Sequence, residues 1–393
     1  MNVEAGQRGT PPDYLKQIAP EVLQSILSPA TIHQPVIDQA IIKSRLSDFI
    51  VEELPAYEPC GDGEHLFLWV EKRGLSGPDL IERIARRLQI RSADIGIAGQ
   101  KDRHAVTRQF VSVHRNCEPR LSQLESDDLT ILSVTAHQNK LRTGHLKGNR
   151  FSIVLRSENK PFEQNSVERL QNALASISNR GFASTFGTQR FGFDGETLKT
   201  GLCFLRGQFS KKRWPYHQQR FMSRFVVSAV QSAAYNLVLH DRILNQQIES
   251  PVSGDIVIRK QGSRPFEFNM DMPTEPGQVT ADETRLIPAG PMFGNRMLAA
   301  KASARAYELR ALECLGIQES MFTRQAKFCP GTRRIAIEFP ENVQVHSVEG
   351  GHVRLEFELR SGVYATTLLR ELIHICTDTR GINEGHQSLG EDD

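Results

Sequence analysis

Twice along its 393 residues this chain changes texture, at Asn179-Arg180-Gly181 and again near Gly331, and the stretches outside that middle section read alike. Before the first change, short apolar or alternating runs at 49–53, 65–70, 110–114 and 151–155 have strand character, and runs of helical period lie at 80–88 and 167–177. After the second, strands return at 334–339 and 353–359, followed by a helix at 365–375. The middle section opens on glycine-punctuated loops, FASTFGTQRFGFDGE, and runs into a long helix at 223–243 and a Pro, Gly and acid-rich stretch at 261–291. A chain this long exceeds one ordinary core, at roughly 100–200 residues per domain. The pattern therefore predicts one domain assembled from both ends, residues 1–180 and 331–393, with a second inserted at 181–330. A helix at 12–27 carries no chemistry, and 384–393 is a polar acidic tail.

The inserted section is marked by charge. No Asp or Glu occurs between Thr197 and His240, while Lys199, Arg206, Lys211, Lys212, Arg213, Arg220 and Arg224 fall there among Phe209, Trp214, Tyr216, Phe221 and Phe225. Cations that neutralise phosphates and rings that stack on bases are the two ingredients of RNA contact. A solvated basic helix whose rings belong to the core is the other reading. The total of +2 decides nothing, because a basic face can be balanced elsewhere.

Several classes are set aside by composition. With 39% hydrophobic and 24% charged residues there is no apolar run long enough to span a bilayer, and Glu4 and Asp13 stand where a signal peptide would be basic, so a cytoplasmic protein away from membranes is expected. Six cysteines are scattered without a C-x-x-C pair, which predicts reduced thiols and neither a disulfide framework nor a structural zinc.

The densest polar loop of the first half is GIAGQKDRHAVTRQ, residues 96–109, between a helix and a strand. Loops on a rigid scaffold are where catalytic side chains usually sit. Asp102 is bracketed by Lys101 and Arg103, whose charges favour a carboxylate competent as nucleophile or base. Taken alone, a carboxylate between two cations on a surface turn is more often a structural ion pair.

Residues 98–109, AGQKDRHAVTRQ, resemble the A-G-x-K-D-x-x-A-V-T-x-Q signature of the TruD family of tRNA pseudouridine synthases. Seven further motifs occur in the family's order: KSRLSDF, GDGEHLFLWVEKRG, GHLKGNRF, FGTQRFG, SAVQSAAYN, GPMFG and GVYATTLLREL. The likeness runs from about residue 41 to 372. It departs at Leu46 and Ser47, where the family has Pro and Glu.

The resemblance implies an α+β architecture: a pseudouridine-synthase catalytic domain with a mainly antiparallel sheet flanked by helices, plus an inserted α/β TruD domain. It implies isomerisation of a tRNA uridine, at position thirteen, with Asp102 catalytic and no metal or cofactor, since the reaction breaks and remakes one glycosidic bond. Phe151 and Phe49 are then candidates to stack on the extruded base, against core phenylalanines. Asn149, two residues from Phe151, orients Asp102 or reads a base edge, against a turn asparagine beside Gly148. Lys43 is a phosphate or catalytic-loop partner, against a solvated lysine. Arg370 resembles the basic residue that pairs with the catalytic Asp in pseudouridine synthases, against a capping arginine. Lys211, Lys212 and Arg213 are the candidate tRNA-backbone contacts. Two rivals remain: an RNA-binding protein without catalysis, and an aspartate-nucleophile hydrolase, which would need a metal-binding carboxylate cluster not found in the sequence. Oligomeric state is left open, a monomer being compatible with the sequence.

Overall fold

The computed structural model describes residues 18–157, 161–163, 165–269 and 285–378. The chain forms two compact units, one of His33–Gly181 with Phe339–Asp393, the other of Met1–Ile32 with Phe182–Glu338.

In the first unit the strands are β1 (Ile37–Ile42), β2 (Phe49–Pro55), β3 (His65–Arg73), β4 (Gly96–Ile97), β5 (Val106–His114), β6 (Leu129–His137), β7 (Leu146–Leu155), β8 (Glu341–Val348), β9 (His352–Arg360) and β10 (Ile373–Asp378). Eight of them form one sheet, ordered β8-β9-β7-β2-β5-β3-β6, with β4 added on β5. All its pairings are antiparallel except β2 with β5.

Period-two alternation sorts this sheet into two unlike faces. On one, Arg108 bridges Glu52 and Glu71 while Arg150 bridges Glu52 and Glu358, a lattice of ion pairs in contact with water. The other face is buried. There Leu68, Val70 and Val111 pack against Leu80, Ile84 and Leu88 of the helix Gly77–Leu88. Each such side chain contributes about 1.5–3 kcal/mol on full burial. Ser76 starts that helix by accepting a hydrogen bond from the Asp79 amide at 3.2 Å.

Apart from the large sheet, β1 pairs in parallel with β10, Ile37 opposite Ile373 and Ile42 opposite Asp378. The helix expected over 365–375 therefore stops at Leu372, and the chain continues as a strand, because Ile373 and Ile375 supply the edge that β1 requires.

The second unit is organised by the helix Gln219–Leu244, whose residues from Val226 to Leu239 are buried almost all round. This corrects the reading of the acid-free stretch: beyond Val226 charges of both signs are missing because the helix is interior. An antiparallel sheet of Phe266–Glu267, Ile256–Arg259, Leu286–Met292 and Thr332–Ile335 belongs to this unit. Near the C-terminal end of the helix, Arg242 is held in a buried bidentate pair with Asp255, at 2.7 and 2.8 Å.

Two boundaries differ from expectation. The helix Pro20–Leu27 and the residues after it belong to this second unit, since Asn236 Nδ2 donates to the Ile26 carbonyl and His240 Nδ1 accepts from the Ala30 amide. The strands at 332–338 also lie here, with Thr332–Ile335 on Leu286–Met292 and Ile337–Glu338 on Phe182–Ala183. The expected tail at 384–393, the start of the helix expected at 12–27 and residues 270–284 of the loop-rich 261–291 lie outside the described residues. Among the described residues no helix is long and apolar enough to cross a membrane.

Candidate active site

The loop carrying Asp102 has its place because two strands part company. β2 pairs with β5 only over Ile50–Glu52, opposite Val106–Arg108. Further along, the same edge of β5 is taken by Gly96 and Ile97, opposite Ser112 and Val111. Residues 98–105 run back between these two pairings, and Lys101 Nζ closes on Glu53 Oε2 of β2 at 2.9 Å in a fully buried pair. Burial pushes the Glu53 carboxyl above its ordinary pKa, with Lys101 pulling the other way. Lys101 thus anchors the loop. It does not flank the Asp102 carboxylate, as adjacency in sequence suggests.

Asp102 is held from two sides by lysines remote in sequence. Lys43 Nζ donates to Asp102 Oδ2 at 3.0 Å, and Lys72 Nζ donates to the Asp102 backbone carbonyl at 3.0 Å and to the Leu75 carbonyl at 2.6 Å. About half of the carboxylate side chain stays exposed, at 51%. Lys72 is buried, and desolvation lowers its pKa to about 8. Lys43 follows β1 with φ at +58°, a region few side-chain-bearing residues occupy, and its ammonium also lies 4.4 Å from the centre of the Phe49 ring.

Between Lys43 and Phe49 the chain turns tightly around Asp48. Asp48 Oδ2 accepts from the Arg45 amide, and both carboxylate oxygens accept from Arg156 at 2.7 Å. Burial alone would raise the Asp48 pKa, but the Arg156 and Arg45 contacts outweigh it and hold the carboxyl below its ordinary value.

Below this turn a single row crosses the buried face of the sheet, Lys72 opposite Thr107, Thr107 opposite Val51, Val51 opposite Phe151 and Phe151 opposite Phe357. The rings meet: Phe151 stacks on Phe357 at 5.4 Å and meets Phe49 edge-on at 6.2 Å. Asn149 sits two residues along β7, opposite Glu53 and Leu359, in a strand and not in a turn. Gly148 before it lies so close to β9 that a Cβ would stand 2.2 Å from the Leu359 carbonyl oxygen, which accounts for the glycine of the GNRF motif. Asn149 Oδ1, Thr107 Oγ1 and Gln109 Oε1 are buried without a partner among the described residues. Such oxygens call for water or a substrate group.

Five of the sequence candidates thus form one contiguous set: Asp102, Lys43, Phe49 and Phe151 through direct contacts, with Asn149 two residues further along the same strand. Arg370, in the helix Ala365–Leu372, is placed otherwise than expected, since the cation on Asp102 is Lys43. Burial lowers the Arg370 pKa, and the opposing charge is that of Glu371. Lys211, Lys212 and Arg213 form an exposed turn of the other unit, with Arg213 5.3 Å from the Phe209 ring. Trp214 and Phe209 pack together at 4.8 Å, while Tyr216 and Phe221 are 90% and 66% exposed. Sequence reasoning missed Lys72, Asp48 and the Glu53–Lys101 pair. Lys72 carried a signal, being the charged member of the alternation Leu66, Leu68, Val70, Lys72.

The family model for tRNA pseudouridine synthase D (TruD) matches residues 34–224 and 216–372. The chain belongs to the TruD family. It is 37% identical over 326 residues to the tRNA pseudouridine synthase D of Anaeromyxobacter sp. (strain Fw109-5), which takes in 83% of this chain and 90% of that relative. The TruD protein of Sulfurimonas denitrificans is 33% identical over 351 residues, 83% of this chain and 92% of the relative. A crystal structure described as the putative tRNA pseudouridine synthase D from Methanosarcina mazei superposes with a TM-score of 0.67 at 23% identity, over 91% of this chain and 99% of that one. That likeness shows the shared α+β fold.

Proposed function

We propose that the Asp102 carboxylate opens the isomerisation of the uridine at position thirteen of tRNA. The activity class follows from the family: TruD enzymes isomerise uridine to pseudouridine in tRNA, and this chain is an RNA pseudouridine synthase. In that reaction the bond from N1 to C1′ breaks, the uracil turns, C5 joins C1′, the C5 proton is lost to solvent and N1 gains one. Atoms balance without any co-reactant. A carboxylate serves either by attacking the nucleoside or by removing a sugar proton.

The observation that carries this reading is a half-exposed carboxylate fixed through its side chain by Lys43 and through its backbone by Lys72, beside the ring set of Phe49, Phe151 and Phe357. Preorganisation of this kind is what positions a reacting group. Phe49 and Phe151 offer the apolar wall against which an extruded uracil rests, and the open oxygen of Asn149 suits the uracil N3–H. Arg370 is retained as a substrate contact, and Lys211, Lys212 and Arg213 as backbone contacts, supported by the exposed rings of Tyr216 and Phe221 beside them.

Asp102→Asn tests the role directly. Tritium release from C5-labelled uridine in tRNA is expected to fall by at least the roughly 10²–10⁴ typical of a missing proton-transfer group, while tRNA binding holds or tightens. Retained release would leave Asp102 a structural ion-pair residue.

A further inference from the structure

At the end of the large sheet where β2 and β6 finish and β3 and β7 begin, an open cavity of about 470 Å³ is lined by Tyr57, Glu58, His137, Asn139, Lys140, Arg142 and His145. None of these residues belongs to the set around Asp102. The lining is aromatic and basic with a single acid. The Tyr57 ring stacks on His137 at 5.2 Å and 24°, and its hydroxyl lies 2.7 Å from His145 Nδ1. His137 Nδ1 accepts from the Cys60 amide, so the neutral ring presents Nε2–H as a donor. Arg142 is exposed, and Lys140, half-buried, donates to the Ala93 carbonyl. Ring faces beside cations are the recognition chemistry of an unpaired nucleotide.

The segment that supplies Asn139, Lys140, Arg142 and His145 is tied to the stem of the Asp102 loop. Gly144 N donates to the Ala98 carbonyl at 2.8 Å, and Leu141 N donates to Ser112 Oγ at 2.9 Å. Gly96 is so tightly apposed that a Cβ there would lie 2.3 Å from the Leu141 carbonyl oxygen. An occupant of the cavity therefore bears on the segment from which the catalytic loop springs.

We infer that this cavity seats one unpaired nucleotide of the substrate tRNA, remote from the target uridine, with its phosphate on Arg142 and Lys140 and its base on the Tyr57–His137 pair. The inference rests on the tRNA synthase reading above. Full-length protein carrying Arg142→Glu or Tyr57→Leu is compared with wild type for tRNA binding over a salt series and for steady-state tritium release, with thermal melting as the folding control. Arg142→Glu is expected to raise KM for tRNA about tenfold and to lower the slope of log K against log salt by about one. Tyr57→Leu is expected to raise KM about fivefold to 150-fold, the span that stacking of one base corresponds to, with the slope kept. Wild-type KM and slope in both variants would overturn the proposal. An effect of Arg142→Glu alone would overturn it as well, in favour of a plain backbone contact. Should the wild type release no tritium, the synthase reading fails instead, and the binding series alone decides whether the cavity holds RNA.

Discussion

At the scale of single residues, the site depends on a turn whose anchor does no chemistry. Asp48 fixes the chain between Lys43 and Phe49, so its removal should unseat both. Its carboxyl is held below the ordinary value in the fold, so its contribution to stability is present above the unfolded pKa near 4 and is lost as pH falls through the folded one. Asp48→Asn is thus expected to lower the melting temperature clearly at pH 7 and by progressively less as the pH falls below about 4, as a paired melting series would read out. Removing one partner of a buried pair costs about 3–5 kcal/mol, and less is expected here because Arg156 is 21% exposed. Phe151 needs a gentler probe than truncation. The ring is buried against Phe357, and Phe→Ala in a core costs about 3–5 kcal/mol. Phe151→Leu should keep most of that packing, so a fall in turnover with near wild-type melting is the outcome expected of a base-stacking wall. Equal turnover would assign Phe151 to the core alone.

At the scale of elements, what could be read from sequence followed periodicity, and what could not followed distant partners. Alternation at 49–53 and the apolar and aromatic run at 65–70 marked β2 and β3, and the second strand runs on to Lys72, yet nothing local says that a buried ammonium there meets the carbonyl of Asp102. Lys101 and Arg103 were the natural partners for Asp102 by adjacency. The loop turns Lys101 inward to Glu53 and brings in Lys43 from 59 residues away. The acid-free stretch had two causes, an exposed basic turn and a buried helix, that composition merges into one signal. The turn can be tested separately. Reversing Lys211, Lys212 and Arg213 to Glu is expected to weaken tRNA binding and to flatten its salt dependence by roughly one unit of slope for each phosphate no longer neutralised. An unchanged slope would assign the turn to structure.

At the scale of the whole molecule, the first unit is closed by its own two ends. β1 leads directly into Lys43 and is paired along its length with β10, and Asp378 at the end of β10 lies 3.8 Å from the Lys43 ammonium. Removal of the chain from Ile373 onward is expected to abolish tritium release, with a lowered melting temperature for the first unit, though Asp102 and both rings remain. Turnover at the wild-type level in that truncation would show that Lys43 needs no such support. Pairing between segments this distant also sets an order in time. Contacts of long sequence separation form late and slowly, and Ile37 must wait for Ile373 to be synthesised. A nascent chain emerging from the ribosome holds Lys43, Asp102 and both rings long before it can arrange them, so competence to modify RNA waits on the synthesis of β10.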